Sequence, residues 1–245
     1  MRFSVRVTSL YRGLRRFLER VPPLRVATLY AAEVKNTLLD GTARGRAAVE
    51  RLFGEKEDPF GFNRELEQFR FRRAMEMLGL AGGSDKFPRA LEVGCAEGMF
   101  TEILAERCGE LLAVDFSPTA LERARKRCAG LGNVAFAAYD VRRDPLDGAF
   151  DLIVATGVLE YILRPSTLRD ARERLTAGLR PGGYLLLGNT ATATGVEQTW
   201  IGRRLVRGTL INEYFARDPR YEVVAESLDQ CVCPFAHMLL RRRRN

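Results

Sequence analysis

The hydrophobic positions of this chain change their period near residue 90. Upstream they recur every three to four residues. In "TSLYRGLRRFLERV" (8–21), Leu10, Leu14, Phe17, Leu18 and Val21 share one helical face, and Arg12, Arg15, Arg16 and Arg20 share the other. Pro22 and Pro23 stop that helix. Two more helices are predicted, Val26–Leu39 ending at Gly41 and Arg44–Phe53 ending at Gly54. A break at "EKEDPFGFN" (55–63) follows, with Asn63 as the expected cap of a helix whose stripe is Leu66, Phe69, Ala74, Met77 and Leu78. "AGGSDKFP" (81–88) reads as a linker, which divides the chain into a helical N-terminal extension, residues 1–80, and a second domain, residues 81–245.

From residue 90 short apolar runs alternate with helical patterns. Strands are predicted at "ALEV" (90–93), "ELLAV" (110–114), "VAFAA" (134–138), "FDLIVAT" (150–156) and "GYLLLGN" (183–189). Helices fall at Met99–Arg107, at "SPTALERARKRCA" (117–129) with Ser117 as N-cap and Pro118 at its first position, and at 165–178. Apolar strands alternating with helices specify an α/β fold with a mostly parallel sheet covered on both faces. "YEVVAES" (221–227) and "CPFAHMLLRR" (233–242) leave no room for a helix between them, so they close the sheet as an antiparallel hairpin and bring it to seven strands.

Composition narrows the chemistry. The 245 residues are 46% hydrophobic and 29% charged, enough for a sizeable core without staples. The net charge of +8 sits at the ends: residues 1–50 carry +6 and Arg241–Arg244 add +4, leaving 51–240 at −2. That distribution argues against a nucleic-acid-binding body. It makes the basic N-terminal helix a candidate for contact with an anionic membrane surface. The five cysteines form no CxxC pair, and with one histidine in the chain no metal site is expected. Their irregular spacing fits a reducing, cytoplasmic setting. No apolar run approaches the ~18–20 residues of a membrane span.

The candidate ligand residues all stand at strand ends, where open α/β sheets bind their ligands. "LEVGCAEGMF" (91–100) places Gly94 and Gly98 after the first strand, so backbone can approach a ligand closely in front of a helix N-terminus. Asp115 ends the second strand and suits a ribose diol. Asp140 ends the third and suits an exocyclic amine. Thr156 to Tyr161 follow the fourth. A dinucleotide fingerprint needs G-x-G-x-x-G, but the positions counted from Gly94 hold Ala96 and Met99. Glu92, just before the glycines, would also face a pyrophosphate with like charge. A cationic nucleoside removes that conflict.

On these residues the chain resembles the class I S-adenosylmethionine-dependent methyltransferases. "LEVGCAEGMF" is similar to their first motif, with Ala96 in place of the middle glycine and a slightly wider turn expected there. "LLAVDFS", "AAYDV", "FDLIVATGVLEYI" and "LRPGGYLLLGN" resemble the next four, in order, over residues 89–189. The resemblance implies a Rossmann-like sheet and S-adenosyl-L-methionine as cofactor. It places Glu92, Gly94 and Gly98 around the methionine moiety, Asp115 at the ribose and Asp140 at the adenine. Cys95, Ala96, Phe116, Val141 and Thr156 complete the cofactor-binding set at the same strand ends. Within that class, "EKEDPFGF", "LEVGCAEG", "FDLIVATGVLEYI" and "MLLRR" look most like the nodulation-type N-methyltransferases, which act on the free amine of a deacetylated chitooligosaccharide. That likeness implies a small-molecule acceptor such as an amino sugar, and a lid made by the helices upstream of residue 80.

Methylation of an amine or hydroxyl also needs a proton acceptor. Glu160 is the candidate base, with Tyr161 as wall or hydrogen-bond partner. His237 lies in the closing hairpin beside Met238 and Leu239, where a structural role is expected. Cys95 has no histidine near it in sequence and reads as a small packing residue, not a nucleophile. Two other function classes fit the same fold. An RNA methyltransferase is disfavoured in its amine-on-base form because "ATGVLEY" stands where (N/D)PP(Y/F) would be. A non-catalytic S-adenosylmethionine-binding module is disfavoured by the intact Asp115 and glycines.

Overall fold

The computed structural model describes residues 43–81, 86–162, 164–191, 208–229 and 234–244. The expected helices at 8–21 and 26–39, Cys231 and Cys233 lie outside the described residues.

The described residues form one compact unit around a seven-stranded sheet. Its strands are β1 (Phe87–Val93), β2 (Cys108–Asp115), β3 (Val134–Ala138), β4 (Phe150–Thr156), β5 (Leu179–Thr190), β6 (Tyr221–Asp229) and β7 (Phe235–Arg242), in the order β3-β2-β1-β4-β5-β7-β6. The first five strands pair in parallel. β7 joins β5 antiparallel and β6 closes the edge antiparallel to β7, as the hairpin at 221–242 predicts. β1 starts three residues earlier than its apolar run, and β5 starts at Leu179, with Gly182 at φ 84 inside it.

The period of two sorts the core onto two faces. Leu91, Val93, Ile153, Ala155, Leu185 and Leu187 pack with helix α5 (Pro165–Gly178) and helix α6 (Gly208–Ala216) through Leu175 and Phe215. Ala90, Leu152, Val154, Leu186 and Leu239 face the opposite layer. There Phe71, Ala74, Met77 and Leu78 of helix α2 (Glu65–Gly79) meet Phe100 and Leu104 of helix α3 (Met99–Leu104). A single 3-10 turn, Ala105–Arg107, extends α3 to its expected end. Helix α4 (Pro118–Arg127) sets Leu121 against Cys95 and Ala113, and its N-cap is Ser117, which accepts from Ala120 N at 3.1 Å.

Two sequence expectations need correction. Asn63 does not cap α2: the N-cap position is Arg64, without a side-chain cap. Asp58 orders that loop instead, accepting from Phe62 N at 2.7 Å and Asn63 N at 3.0 Å. The boundary drawn at residue 80 also falls inside the compact unit. Helix α1 (Ala43–Glu55) and α2 bury Phe53, Phe71, Met77 and Leu78, so they belong with the sheet's core. The sequence reading did not find α6. Its apolar face is short, and the buried Asn212 interrupts it.

Candidate active site

The connection after β1 is built on alternating left-handed residues. Gly94, Ala96 and Gly98 have φ of 77°, 46° and 81°. Ala96 takes the left-handed conformation itself, as the one non-glycine residue with positive φ among the described residues. Gly94 N and Cys95 N both donate to Val114 O, at 2.8 and 3.0 Å, which ties the turn to β2, and Gly98 N closes it onto Cys95 O at 2.9 Å. A Cβ on Gly98 would stand 3.1 Å from Ala124 Cα, so this glycine also lets α3 and α4 approach closely. Cys95 is buried, and burial, with Glu92 and Asp115 nearby, pushes its thiol far above the ordinary value.

Three carboxylates converge at the carboxyl edge, each in a different environment. Glu92 is buried and its Oε2 has no hydrogen-bond partner. Burial, reinforced by Asp115 and opposed by Thr101, raises its carboxyl to about 7. Asp115 is buried at the end of β2. Its Oδ1 accepts from Ser117 N at 2.9 Å and its Oδ2 from Ala96 N at 3.0 Å. Burial still raises its pKa above the ordinary value despite those bonds. Asp140, after β3, is held in a fork by Arg142: Nε reaches Oδ1 at 2.7 Å and Nη2 reaches Oδ2 at 2.8 Å. Burial works to raise its pKa, but the Arg142 guanidinium outweighs burial and leaves the carboxyl below its usual range. The same guanidinium lies 5.4 Å from the ring centre of Phe116. Val141 is buried in the core beneath this corner.

Helix α1 crosses these same loops. Arg46, Glu50 and Phe53 occupy one face at i, i+4 and i+7. Arg46 Nη1 stands 4.0 Å from Asp140 Oδ2. Glu50 accepts from the Ser117 and Thr119 hydroxyls and from Thr119 N at 3.1 Å, next to Asp115. Phe53 packs on Ala96 and Ala120. The sequence reading did not select Arg46, Glu50 or Arg142. The spacing of the first two with Phe53 was visible, but their partners lie 67 or more residues away.

Thr156 and the 3-10 turn Leu159–Tyr161 form the other side of the edge. Thr156 pairs with Gly188 across β4 and β5, and Gly157 N donates to Gly188 O at 2.7 Å. Glu160 is half-buried. It accepts from Thr190 N, and from Thr190 Oγ1 at 3.2 Å, so the end of β5 fixes its carboxylate. Tyr161 is 39% exposed beside it. His237 is buried one strand over, against Phe235 and 3.8 Å from Asp229 Oδ2. Burial lowers its pKa against the opposing pull of Asp229. The described residues contain no cluster of three or more His, Cys, Asp or Glu able to hold a metal.

The chemistry of this edge fits a cationic nucleoside. Glu92 and Asp115 are the acidic side chains at the two strand ends that meet this turn, and the buried Glu92 Oε2 has no hydrogen-bond partner among the described residues. A pyrophosphate would meet repulsion there.

Comparison with known proteins agrees with the geometry. The profile of the Nodulation protein S (NodS) family matches residues 49–212, most of the chain. The chain belongs to the NodS family. It is 35% identical over 137 residues to Nodulation protein S of Sinorhizobium fredii strain NGR234, covering 56% of this chain and 62% of that protein. It is 37% identical over 125 residues to Nodulation protein S of Rhizobium tropici, covering 51% and 52%. The matched stretch thus spans less than two thirds of these relatives' own lengths. Among solved structures, N-methyltransferase NodS from Bradyrhizobium japonicum WM9 in complex with S-adenosyl-l-homocysteine superposes with a TM-score of 0.68 at 28% identity, covering 80% of this chain and 97% of that one. The family match spans Glu50, the glycine turn, all three carboxylates and Glu160.

Proposed function

We propose that this NodS-family chain is an S-adenosylmethionine-dependent N-methyltransferase whose acceptor is the free amine of a small carbohydrate, with a deacetylated chitooligosaccharide as the first candidate. The observation that carries the reading is the left-handed Gly94–Gly98 turn, preceded by the partnerless Glu92 Oε2 and tied through Ala96 N to Asp115 Oδ2. The likeness to an N-methyltransferase NodS with bound S-adenosyl-l-homocysteine supports it independently.

In this reading Glu92 faces the positive methionine end, Asp115 takes the ribose hydroxyls, and Asp140 with Val141 and Phe116 receives the adenine. Gly94, Cys95, Ala96 and Gly98 line the turn, and Thr156 borders the sulfur side. S-adenosylmethionine supplies a methyl group already activated on a sulfonium. The protein's work is then positioning and proton handling. Glu160, held by Thr190, orients the acceptor nitrogen and takes the proton it sheds as the N–C bond forms. A general base of this kind contributes typically ~10²–10⁴-fold. Tyr161 walls the acceptor side. Helix α1 serves as part of a cover over the nucleoside, a role supported by the Arg46, Glu50 and Phe53 contacts.

The reaction is assigned to a reducing compartment such as the cytoplasm, supported by Cys95, Cys108 and Cys128, which are free and buried. No helix among the described residues is long and apolar enough to cross a membrane. Contact of the basic N-terminal segment with an anionic membrane surface remains part of the proposal.

The test is transfer of a labelled methyl group to a panel of deacetylated and fully acetylated chitooligosaccharides, phenols and RNA. Incorporation into the deacetylated oligosaccharide alone is expected. Incorporation into RNA alone overturns the acceptor class.

A further inference from the structure

We infer that Arg142 is a positioning residue for the nucleobase: it orients Asp140 so that one carboxylate direction is left for an exocyclic amine, and so sets the preference for adenine. The inference rests on the cofactor-site reading above and goes beyond it to a residue that this reading does not use.

Asp140 is buried, and an ionised carboxylate in that position needs partners. Its partners divide unequally between the two oxygens. Oδ1 accepts from Arg142 N at 3.1 Å and Arg142 Nε at 2.7 Å, which fills both of its lone pairs. Oδ2 accepts a single hydrogen bond among the described residues, from Arg142 Nη2 at 2.8 Å. Arg143 Nε at 3.7 Å and Arg46 Nη1 at 4.0 Å add charge to Oδ2 without occupying its remaining lone pair. The carboxylate therefore keeps one acceptor direction, and the planar guanidinium determines which one.

The surrounding loop fixes the Asp140 backbone from which the fork extends. Asp140 N donates to Asp144 Oδ2 at 2.8 Å, and Arg143 N and Asp144 N both donate to Asp140 O, at 3.0 and 2.9 Å. The guanidinium also spans from the end of β3 to Phe116 beyond β2, linking the polar and apolar sides of the same corner. An amine at the base's six-position donates to the free lone pair. An oxo group at that position presents acceptor to acceptor and is rejected.

The experiment is titration calorimetry of the full chain with S-adenosylhomocysteine and with S-inosylhomocysteine, for wild type, Arg142→Met, Arg142→Lys and Asp140→Ala, with melting temperatures of each ligand-free protein. Wild type is expected to prefer the adenosyl ligand by at least about a hundredfold. Arg142→Met is expected to weaken adenosyl binding roughly tenfold while leaving inosyl binding where it was, so that the preference shrinks by the same factor. Arg142→Lys, a charge without a fork, falls between the two, and it carries the test if the Met variant does not fold. A preference unchanged in both Arg142 variants, with only the melting temperature lowered, overturns the inference and makes the pair purely structural. Weakened binding in Asp140→Ala with none in Arg142→Met overturns the role of Arg142 alone. Adenosyl affinity unchanged in Asp140→Ala overturns the underlying site reading.

Discussion

The backbone N–H of Ala96 donates to Asp115 Oδ2 at 3.0 Å, across the nineteen residues that separate the glycine turn from the end of β2. This bond couples a conformation to a charge. Ala96 makes this bond while its φ is 46°, a region where a Cβ is costly. The sides proposed for the methionine and ribose moieties are therefore joined through one local geometry.

Substitution at Ala96 tests that coupling. Ala96→Gly relieves left-handed strain at some cost in chain entropy, so its net effect on stability is expected to stay under about 1 kcal/mol. Ala96→Val puts a β-branched side chain in the same region and in a buried position, and is expected to cost about 2 kcal/mol or more. Urea denaturation of both variants checks this. A Val variant as stable as wild type would show that the turn does not hold the left-handed form.

Asp115→Ala removes the acceptor proposed for the ribose diol. Affinity for S-adenosylhomocysteine is expected to fall by about 1.5–3 kcal/mol, the range of charge-assisted hydrogen bonds. Ala96 N and Ser117 N lose their partner as well, so the variant is also expected to melt lower. Lower stability with unchanged affinity would confine Asp115 to a structural role.

Much of this site can be read in the sequence, because it depends on residue type at strand ends. A parallel strand ending in Asp, or a Gly pair before a helix, signals its position through the period-two pattern alone. Glu92, Asp115, Asp140 and Glu160 all stand at the edge their spacing predicts. The contacts that tune them are less visible. Glu50 reaches Ser117 and Thr119 from 67 and 69 residues away, and Arg142 is an ordinary basic residue until its fork around Asp140 is seen. Asp58 displaces Asn63 in ordering the approach to α2 because both are good loop acceptors and local pattern does not rank them. The closing hairpin was legible from the short gap between its strands. Helix α6 was not, because Asn212 pairs with Asn189 on its buried side at 2.8 Å and breaks the apolar stripe.

Glu92 gives a pH signature. Its carboxyl is raised to about 7 in the folded protein, above the ordinary 4.5, because burial penalises its charge. A raised carboxyl contributes stability that is present below the unfolded pKa and lost as pH rises through the folded one. Ligand-free Glu92→Gln is therefore expected to match wild type near pH 4 and to melt higher than wild type at about pH 8. Binding of a cation favours the ionised form, so wild-type affinity for S-adenosylmethionine should rise from about pH 6 to about pH 8 while the Gln variant stays flat. Parallel melting curves for the two proteins at both ends of the range would remove Glu92 from this role.

Glu160→Gln separates proton transfer from binding. The amide oxygen can still accept from Thr190 N, and the amide NH2 can donate to the Thr190 hydroxyl oxygen in place of the second bond, so the turn is expected to persist. Turnover on the amine acceptor should drop by roughly 10²–10⁴-fold, with affinity for S-adenosylhomocysteine unchanged. A turnover within about twofold of wild type would assign the proton to solvent or to another group.

The central claim is that the edge formed by Glu92, the Gly94–Gly98 turn and Asp115 is a site for a cationic nucleoside. Titration calorimetry of the full chain with S-adenosylmethionine, with NAD as the pyrophosphate-bearing control, measures it directly. Saturable one-to-one binding of S-adenosylmethionine at micromolar ligand, with none of NAD, is the predicted result. Binding of NAD, or no heat from S-adenosylmethionine at millimolar ligand, would contradict it.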